Sequence, residues 1–252
     1  HVAAANGHTA VCEVLLADRG AEVIEQMVTA GDWEGLEPVH LAVREGHPEV
    51  CNFLSEHKAN LHAVLDFGVT TLQLAADRGH VQVLQLLLAD LASQGAGGGA
   101  AAVLEAVSAC RSDGRNAWLL SAAQGHLECC KKVWDAVGSA AVGEVADRDG
   151  RTAMLLAARN GHSAVCAWLS DVCADARGLA VTDACGWTPL HVASAEGRKE
   201  VVICLLSARA DVGATDEEGK TAREWAKLRG HLAVEARLRD AEKAVAAARA
   251  AE

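Results

Sequence analysis

The sequence predicts an all-α solenoid of stacked helix-turn-helix units, and three observations carry that prediction. First, a Gly-His or Gly-Arg pair recurs seven times, at Gly7, Gly46, Gly79, Gly125, Gly161, Gly197 and Gly230. Second, successive glycines lie 39, 33, 46, 36, 36 and 33 residues apart, and self-similarity near a period of ~33 marks a fold whose units bury their apolar faces only against neighbours. Third, apolar residues follow each glycine at offsets of four, five, seven and eight, as Val83, Leu84, Leu86 and Leu87 do after Gly79, which is one face of a helix.

Each element has a local reason. The sixth unit reads Asp183-Ala-Cys-Gly-Trp-Thr-Pro-Leu-His191-Val-Ala-Ser-Ala-Glu-Gly197. Its Thr hydroxyl suits the cap of a first helix, and Pro fits the first helical position. The glycine that ends this helix suits a left-handed C-terminal cap. A second helix follows over Val201-Val-Ile-Cys-Leu-Leu206, and the polar, glycine-bearing stretch Ala210–Gly219 predicts a hairpin-like loop.

These residues resemble the ankyrin repeat, and other units carry the same marks. They include Pro38-Val39-His40 in the second, Gly68, Thr70 and Leu72 in the third, Asp149-Gly150 and Thr152 in the fifth, and Gly219-Lys-Thr-Ala-Arg-Glu-Trp-Ala in the seventh. The resemblance covers almost the whole chain and implies about seven repeats, the first truncated so that His1 takes the Thr-Pro-Leu-His position. It also implies loops that project from the helices and form, with the first helices, a concave binding surface. In the family the slot histidine, here His1, His40 and His191, bonds between neighbouring loops.

Two stretches break the period. A glycine-rich insertion is expected over about 93–109, and about six extra residues fall near Ile24–Ala30. The fourth unit has Asn116-Ala-Trp-Leu119 where Thr-Pro-Leu-His should stand, with Trp118 and Trp134 at core positions. With the adjoining insertion it is the expected weak point of the stack. At the far end, 231–252 runs without Pro or Gly among strong helix formers. The expected division is a repeat domain over 1–239 and a helical extension over 240–252.

Composition excludes several functions. A formal net charge of −11 argues against binding nucleic acid, where Lys and Arg displace counterions from phosphates. No apolar run reaches 18 residues, so no membrane insertion is expected. Of nine cysteines, Cys12, Cys51, Cys130 and Cys166 sit five residues after a repeat glycine, Cys129 beside them and Cys204 on the same face. That periodic placement reads as packing, not zinc or disulfide chemistry. An odd number of mostly buried thiols fits a reducing intracellular compartment, cytoplasmic or nuclear. Nine of eleven histidines follow the repeat, and His57 and His62 are expected at the surface. The stretch Gly95–Ala100 matches GxGxxA, but it follows a helix rather than a strand, so dinucleotide binding is not expected. No cofactor and no metal are expected.

The surface left for function comprises loop tips and exposed first-helix residues: Trp33, Glu34, Leu36, Arg44, Phe67, Arg78, Arg115, Arg151, Arg159, Trp187, Glu196 and Lys220. Trp and Arg are enriched at interface hot spots. The sequence therefore predicts a non-catalytic, monomeric scaffold that binds a partner protein. The alternative is a recruiting or regulatory segment of a larger enzyme, ubiquitin-ligase subunit, kinase or channel.

Overall fold

The computed structural model describes residues 1–65, 68–93, 99–138, 145–172 and 177–250. Helices come in pairs joined by short turns, here termed A and B. The pairs are Val2–Ala5 with Thr9–Leu16, Pro38–Glu45 with Pro48–Glu56, Thr71–Arg78 with Val81–Ser93, and Ala117–Gln124 with Leu127–Val137. They continue as Ala153–Asn160 with Ser163–Val172, Pro189–Ala195 with Lys199–Ser207, and Ala222–Leu228 with Leu232–Ala250. Among the described residues the only β-pairing is three isolated antiparallel bridges, Val64 to Thr70, Ala146 to Thr152 and Thr215 to Thr221. Each closes a hairpin-like loop just before an A helix.

The chain divides into two compact units, 1–121 with 128–141, and 122–127 with 142–252. In the first, the A helices of repeats one, two and three pack in succession, and so do their B helices. In the second, the A and B helices of repeats five, six and seven do the same. The protein is thus an all-α repeat solenoid.

The local signals work as the residues dictate. Thr70, Thr188 and Thr221 accept the N–H of the residue three along, Gln73, His191 and Glu224, which satisfies one of the free donors at a helix start. At the other end of the A helix, Gly46 and Gly161 hold φ of 83° and 91°. The next N–H then turns back: His47 donates to Ala42 at 2.9 Å and His162 to Ala157 at 2.9 Å. Only glycine takes this left-handed turn without steric cost.

B-helix burial follows the register. Four residues after the repeat glycine stand Val50, Val83, Cys129, Val165, Val201 and Val234; eight after stand Leu54, Leu87, Val133, Leu169, Leu205 and Leu238. All twelve are at most 3% exposed.

The fourth repeat replaces its missing motif locally. Asn116 Oδ1 accepts the N–H of Leu119 at 3.0 Å and so caps the A helix. Trp118 is fully buried, and its ring lies 5.9 Å from that of Trp134, which is half-buried. Both irregular stretches contain helix. Ala21–Thr29 forms one where extra residues were expected, and Gly99–Ser108 forms another that packs on Val81–Ser93. Much of the glycine-rich insertion is therefore a structured helix, with Val103 and Val107 buried; residues 94–98 lie outside the described residues.

Candidate interaction surface

Six hairpin turns precede the A helices, and they share one geometry. The residue opening each turn donates its N–H to the carbonyl four residues on, as Asp32 does to Leu36, Leu65 to Val69, Arg111 to Arg115, Asp147 to Arg151, Asp183 to Trp187 and Asp216 to Lys220. Its carbonyl accepts the N–H of the glycine three residues on. In four turns the opening residue is Asp, and its Oδ1 takes two more N–H groups. Asp32 accepts from Glu34 and Leu36, Asp147 from Asp149 and Arg151, Asp183 from Cys185 and Trp187, and Asp216 from Glu218 and Lys220. Burial alone would raise the Asp147 and Asp216 carboxyls. The N–H groups outweigh it, helped by the Arg151 guanidinium at Asp147 and the Trp225 indole at Asp216, so both lie below the ordinary value.

This geometry asks nothing of the second and third residues of each turn, which point to solvent wherever they are described: Trp33 and Glu34, Ser112 and Asp113, Arg148 and Asp149, Ala184 and Cys185, Glu217 and Glu218. Trp33 is 89% exposed. Phe67, also expected here, lies outside the described residues. In the second unit the turns also bond to one another, with Ala184 N–H reaching Asp149 O at 3.1 Å and Glu217 N–H reaching Cys185 O at 3.5 Å. Within the second unit the tips thus form a row fixed by backbone.

The fifth position behaves differently. Leu36, Arg115, Arg151, Trp187 and Lys220 were expected as exposed tips, yet all are half-buried, because the turn directs this side chain back along the hairpin. Arg151 pairs with Asp147 at 3.0 Å and with Asp149. Arg115 lies 3.6 Å from Asp113. Trp187 packs on Trp225 of the next repeat, ring centroids 4.7 Å apart. Trp225 in turn donates its indole N–H to Asp216 Oδ2 at 2.7 Å and carries Lys220 Nζ 4.6 Å above its ring. Trp225 was not singled out in the sequence; an aromatic in an otherwise aliphatic helix slot was the available signal.

On the A helices, Arg44 is half-buried and pairs with Glu45 at 3.0 Å, and Arg159 lies 3.8 Å from Glu196. Arg78 is exposed. The expected site residues therefore sort into two groups. Trp33, Glu34, Arg78, Arg159 and Glu196 are presented to solvent, and the other described ones, Leu36, Arg44, Arg115, Arg151, Trp187 and Lys220, partly serve the fold.

The histidines hold the stack together. Slot residue His191 accepts the N–H of Thr188 and bonds through Nε2 to Lys220 O at 3.1 Å, in the next loop. Gln73 fills the same slot, and its amide donates to Ala109 O at 2.7 Å. The histidine after four of the repeat glycines reaches backward instead: Nε2 of His47, His80, His162 and His231 lies 2.9–3.0 Å from the carbonyls of Ala5, Arg44, Ala123 and Ala195. Arg198 does the same to Arg159 O. Each of these histidine rings lies against the preceding repeat's glycine, where a Cβ would collide with it. His57 and His62 are half-buried, not surface residues. His57 stacks on Phe53, and His62 Nε2 meets Asp90 Oδ2 at 2.8 Å, tying an exit loop to the next B helix.

The cysteines divide by register. Cys12, Cys51, Cys129, Cys130 and Cys166 are buried, Cys204 is half-buried, and Cys110 and Cys185 are exposed; Cys173 lies outside the described residues. Burial pushes the thiols of Cys51, Cys129 and Cys166 up to about 12 and Cys130 to about 11. Among the described residues, no three His, Cys, Asp or Glu side chains converge as a metal site, and no helix is long and apolar enough to cross a membrane.

A family model described as ankyrin repeats in three copies matches residues 1–97 and 98–177, and a single ankyrin repeat model matches 185–217. The Ankyrin repeat protein nuc-2 of Neurospora crassa is 31% identical over 147 residues, which is 58% of this chain and 12% of that protein. The chain thus spans only a small part of that relative's length. Matches over most of the chain, laid on helix pairs and glycine turns that keep the same period, place the protein in the ankyrin repeat family, whose repeats are generally protein–protein interaction modules.

Proposed function

We propose that this chain is a non-catalytic, monomeric scaffold that binds a partner protein through its hairpin tips and the exposed residues of its A helices. The observation that carries the reading is Trp33. Its indole is 89% exposed on a turn that Asp32 fixes with two side-chain and two main-chain hydrogen bonds. A solvated Trp on a turn whose backbone is fixed offers a large apolar contact. Glu34, Arg78, Arg159 and Glu196 complete the surface we assign to the partner. The half-buried Leu36, Arg44, Arg115, Arg151, Trp187 and Lys220 border it, and Phe67 is assigned to it from the sequence alone.

The test is co-precipitation with the intact protein, comparing wild type with Trp33→Ala. Loss of a hot-spot indole weakens binding by about 30-fold or more. A partner that binds the Trp33→Ala, Arg78→Ala and Glu34→Ala variants as tightly as wild type sinks the assignment.

The alternative is supported by one number: the chain matches 12% of its fungal relative. On this reading the repeats recruit or regulate for a larger polypeptide, such as an enzyme, ubiquitin-ligase subunit, kinase or channel. Reading the open frame beyond both ends discriminates the two. The acidic charge and the buried, unreactive thiols support a partner that is not nucleic acid and an intracellular setting.

A further inference from the structure

Three hairpin turns share a charge pattern that the turn bearing Trp33 breaks. In each of the three the third residue is a carboxylate, the fifth is a cation, and the two pair within the turn. Asp113 meets Arg115 at 3.6 Å, Asp149 meets Arg151, and Glu218 meets Lys220 at 2.5 Å. The fifth side chain turns back along the hairpin and so reaches the third.

Repeat two keeps the carboxylate and lacks the cation. Its third residue is Glu34, exposed to solvent, with its N–H fixed to Asp32 Oδ1 at 2.8 Å. Its fifth residue is Leu36, and among the described residues no cation pairs with Glu34. The residue beside Glu34 is Trp33, 89% exposed. At that second position the other turns carry Asp66, Ser112, Arg148, Ala184 and Glu217, none of them aromatic.

Repeat seven shows what a carboxylate and an indole hold together in this fold. Lys220 Nζ lies 4.6 Å above the Trp225 ring while it pairs with Glu218. The Trp33 turn offers the same two groups on consecutive residues and supplies no cation of its own. Its electrostatic setting favours one from outside. The first compact unit holds 17 acidic and 8 basic residues, against 17 and 15 in the second. Five of those eight cations, Arg44, Lys58, Arg111, Arg115 and Lys131, are already paired with acidic neighbours. Such a surplus of negative charge draws a basic segment from solvent.

We propose that Trp33 and Glu34 form a site for an arginine in a basic segment of the partner protein, which supplies the charge that Leu36 does not. The proposal rests on the reading that this hairpin faces a protein partner, and adds the chemistry of what it takes. Arginine suits the two groups because its planar guanidinium stacks on an indole face while its edge N–H groups bond to a carboxylate.

The test titrates the whole 252-residue chain with a capped peptide of four Gly-Ser-Arg units, in about 0.15 M salt to screen distant charges. The readout is the Trp33 indole N–H signal in NMR spectra, identified by its loss in Trp33→Phe. It should shift saturably, and a peptide of four Gly-Ser-Glu units should leave it in place. Glu34→Gln, an exposed change, should weaken the arginine peptide about threefold or more. Glu49→Gln with Glu56→Gln removes two exposed charges from a B helix of the same unit and should leave the affinity nearly unchanged. Leu36→Arg places the cation within the turn, as in repeats four and five, and should compete with the peptide where Leu36→Gln does not. Three results would overturn the proposal: an unmoved Trp33 signal, full affinity in Glu34→Gln, or an equal loss in the Glu49/Glu56 variant, which would make the attraction diffuse. Co-precipitation with Trp33→Ala decides the partner reading separately. A partner lost there, with Trp33 deaf to the arginine peptide, would leave partner binding standing and remove the arginine.

Discussion

A glycine in this fold carries two separate demands, and two residues isolate them. Gly125 and Gly230 share a φ of 79°. A Cβ on Gly125 would collide with the His162 ring, whereas Gly230 has nothing within 4 Å. Gly230→Ala should therefore cost only the left-handed backbone penalty of about 1–2 kcal/mol. Gly125→Ala should cost at least about 1 kcal/mol more, because His162 must leave its place and its bond to Ala123 O. Urea denaturation of both variants, and of Gly125→Ala combined with His162→Ala, checks this. Equal losses at the two glycines would show that the ring contact contributes nothing.

The slot histidines give a pH signature. Burial lowers His40 and His191 below the ordinary value of 6.5, against smaller opposing effects of nearby carbonyls and carboxylates. The folded state thus keeps them neutral at a pH where the unfolded chain already takes up protons. Their contribution is complete above pH 6.5 and drains as pH falls from there toward the lowered folded values. Gln73 shows that Gln can make the same bonds without titrating. His40→Gln with His191→Gln should leave the Tm nearly unchanged at pH 7.5 and flatten its fall toward pH 5.5. An unaltered slope would exclude the slot histidines as its source.

At the scale of elements, the fourth repeat shows how a lost motif is replaced. Asn116 supplies the cap, and the Trp118 indole fills the layer beside Trp134. Trp118→Ala should cost about 3–5 kcal/mol, in the range of a core Leu deletion or above it; a loss below about 1 kcal/mol would mean the layer collapses freely around the gap. The last helix tests a boundary. Residues 240–252 are proposed as an extension beyond the repeat domain, yet Arg223 bonds to Glu242 at 2.8 Å as well as to Glu235. Partly exposed pairs contribute little, so deleting residues 240–252 should lower the Tm by less than about 3 °C. A fall as large as that from removing a whole repeat would make the extension integral to the stack.

The elements legible in the sequence are those set by short-range chemistry. Thr-Pro starts, glycine stops and the apolar offsets of the B helices depend on residues within one turn of each other. The helices Ala21–Thr29 and Gly99–Ser108 were not legible, since both fall in stretches that break the period and so have no counterpart in other units; packing supports each, through buried Val28 in one and Val103 and Val107 in the other. The candidate surface was half legible for a related reason. Register alone put Trp33 and Trp187 on equal footing as tips. The turn sends the second residue outward and the fifth inward, and only the fold brings Trp225 beneath Trp187.

For the molecule as a whole, the placement of its thiols makes repeat stability measurable in place. Repeats one, two, four and five each hold a cysteine five residues after the glycine, at Cys12, Cys51, Cys130 and Cys166. A buried thiol at such a site reacts with an alkylating reagent only when its repeat opens, so its labelling rate reports a local opening free energy. Cys110 and Cys185, exposed one in each unit, should react at once and serve as internal references. Cys12 should follow, because its repeat has one neighbour, and Cys51 and Cys166 should lag far behind. If all the buried thiols instead reacted at one common rate, the chain would open as a single cooperative body. The native cysteines would then record one global event rather than a gradient of openings along the repeats.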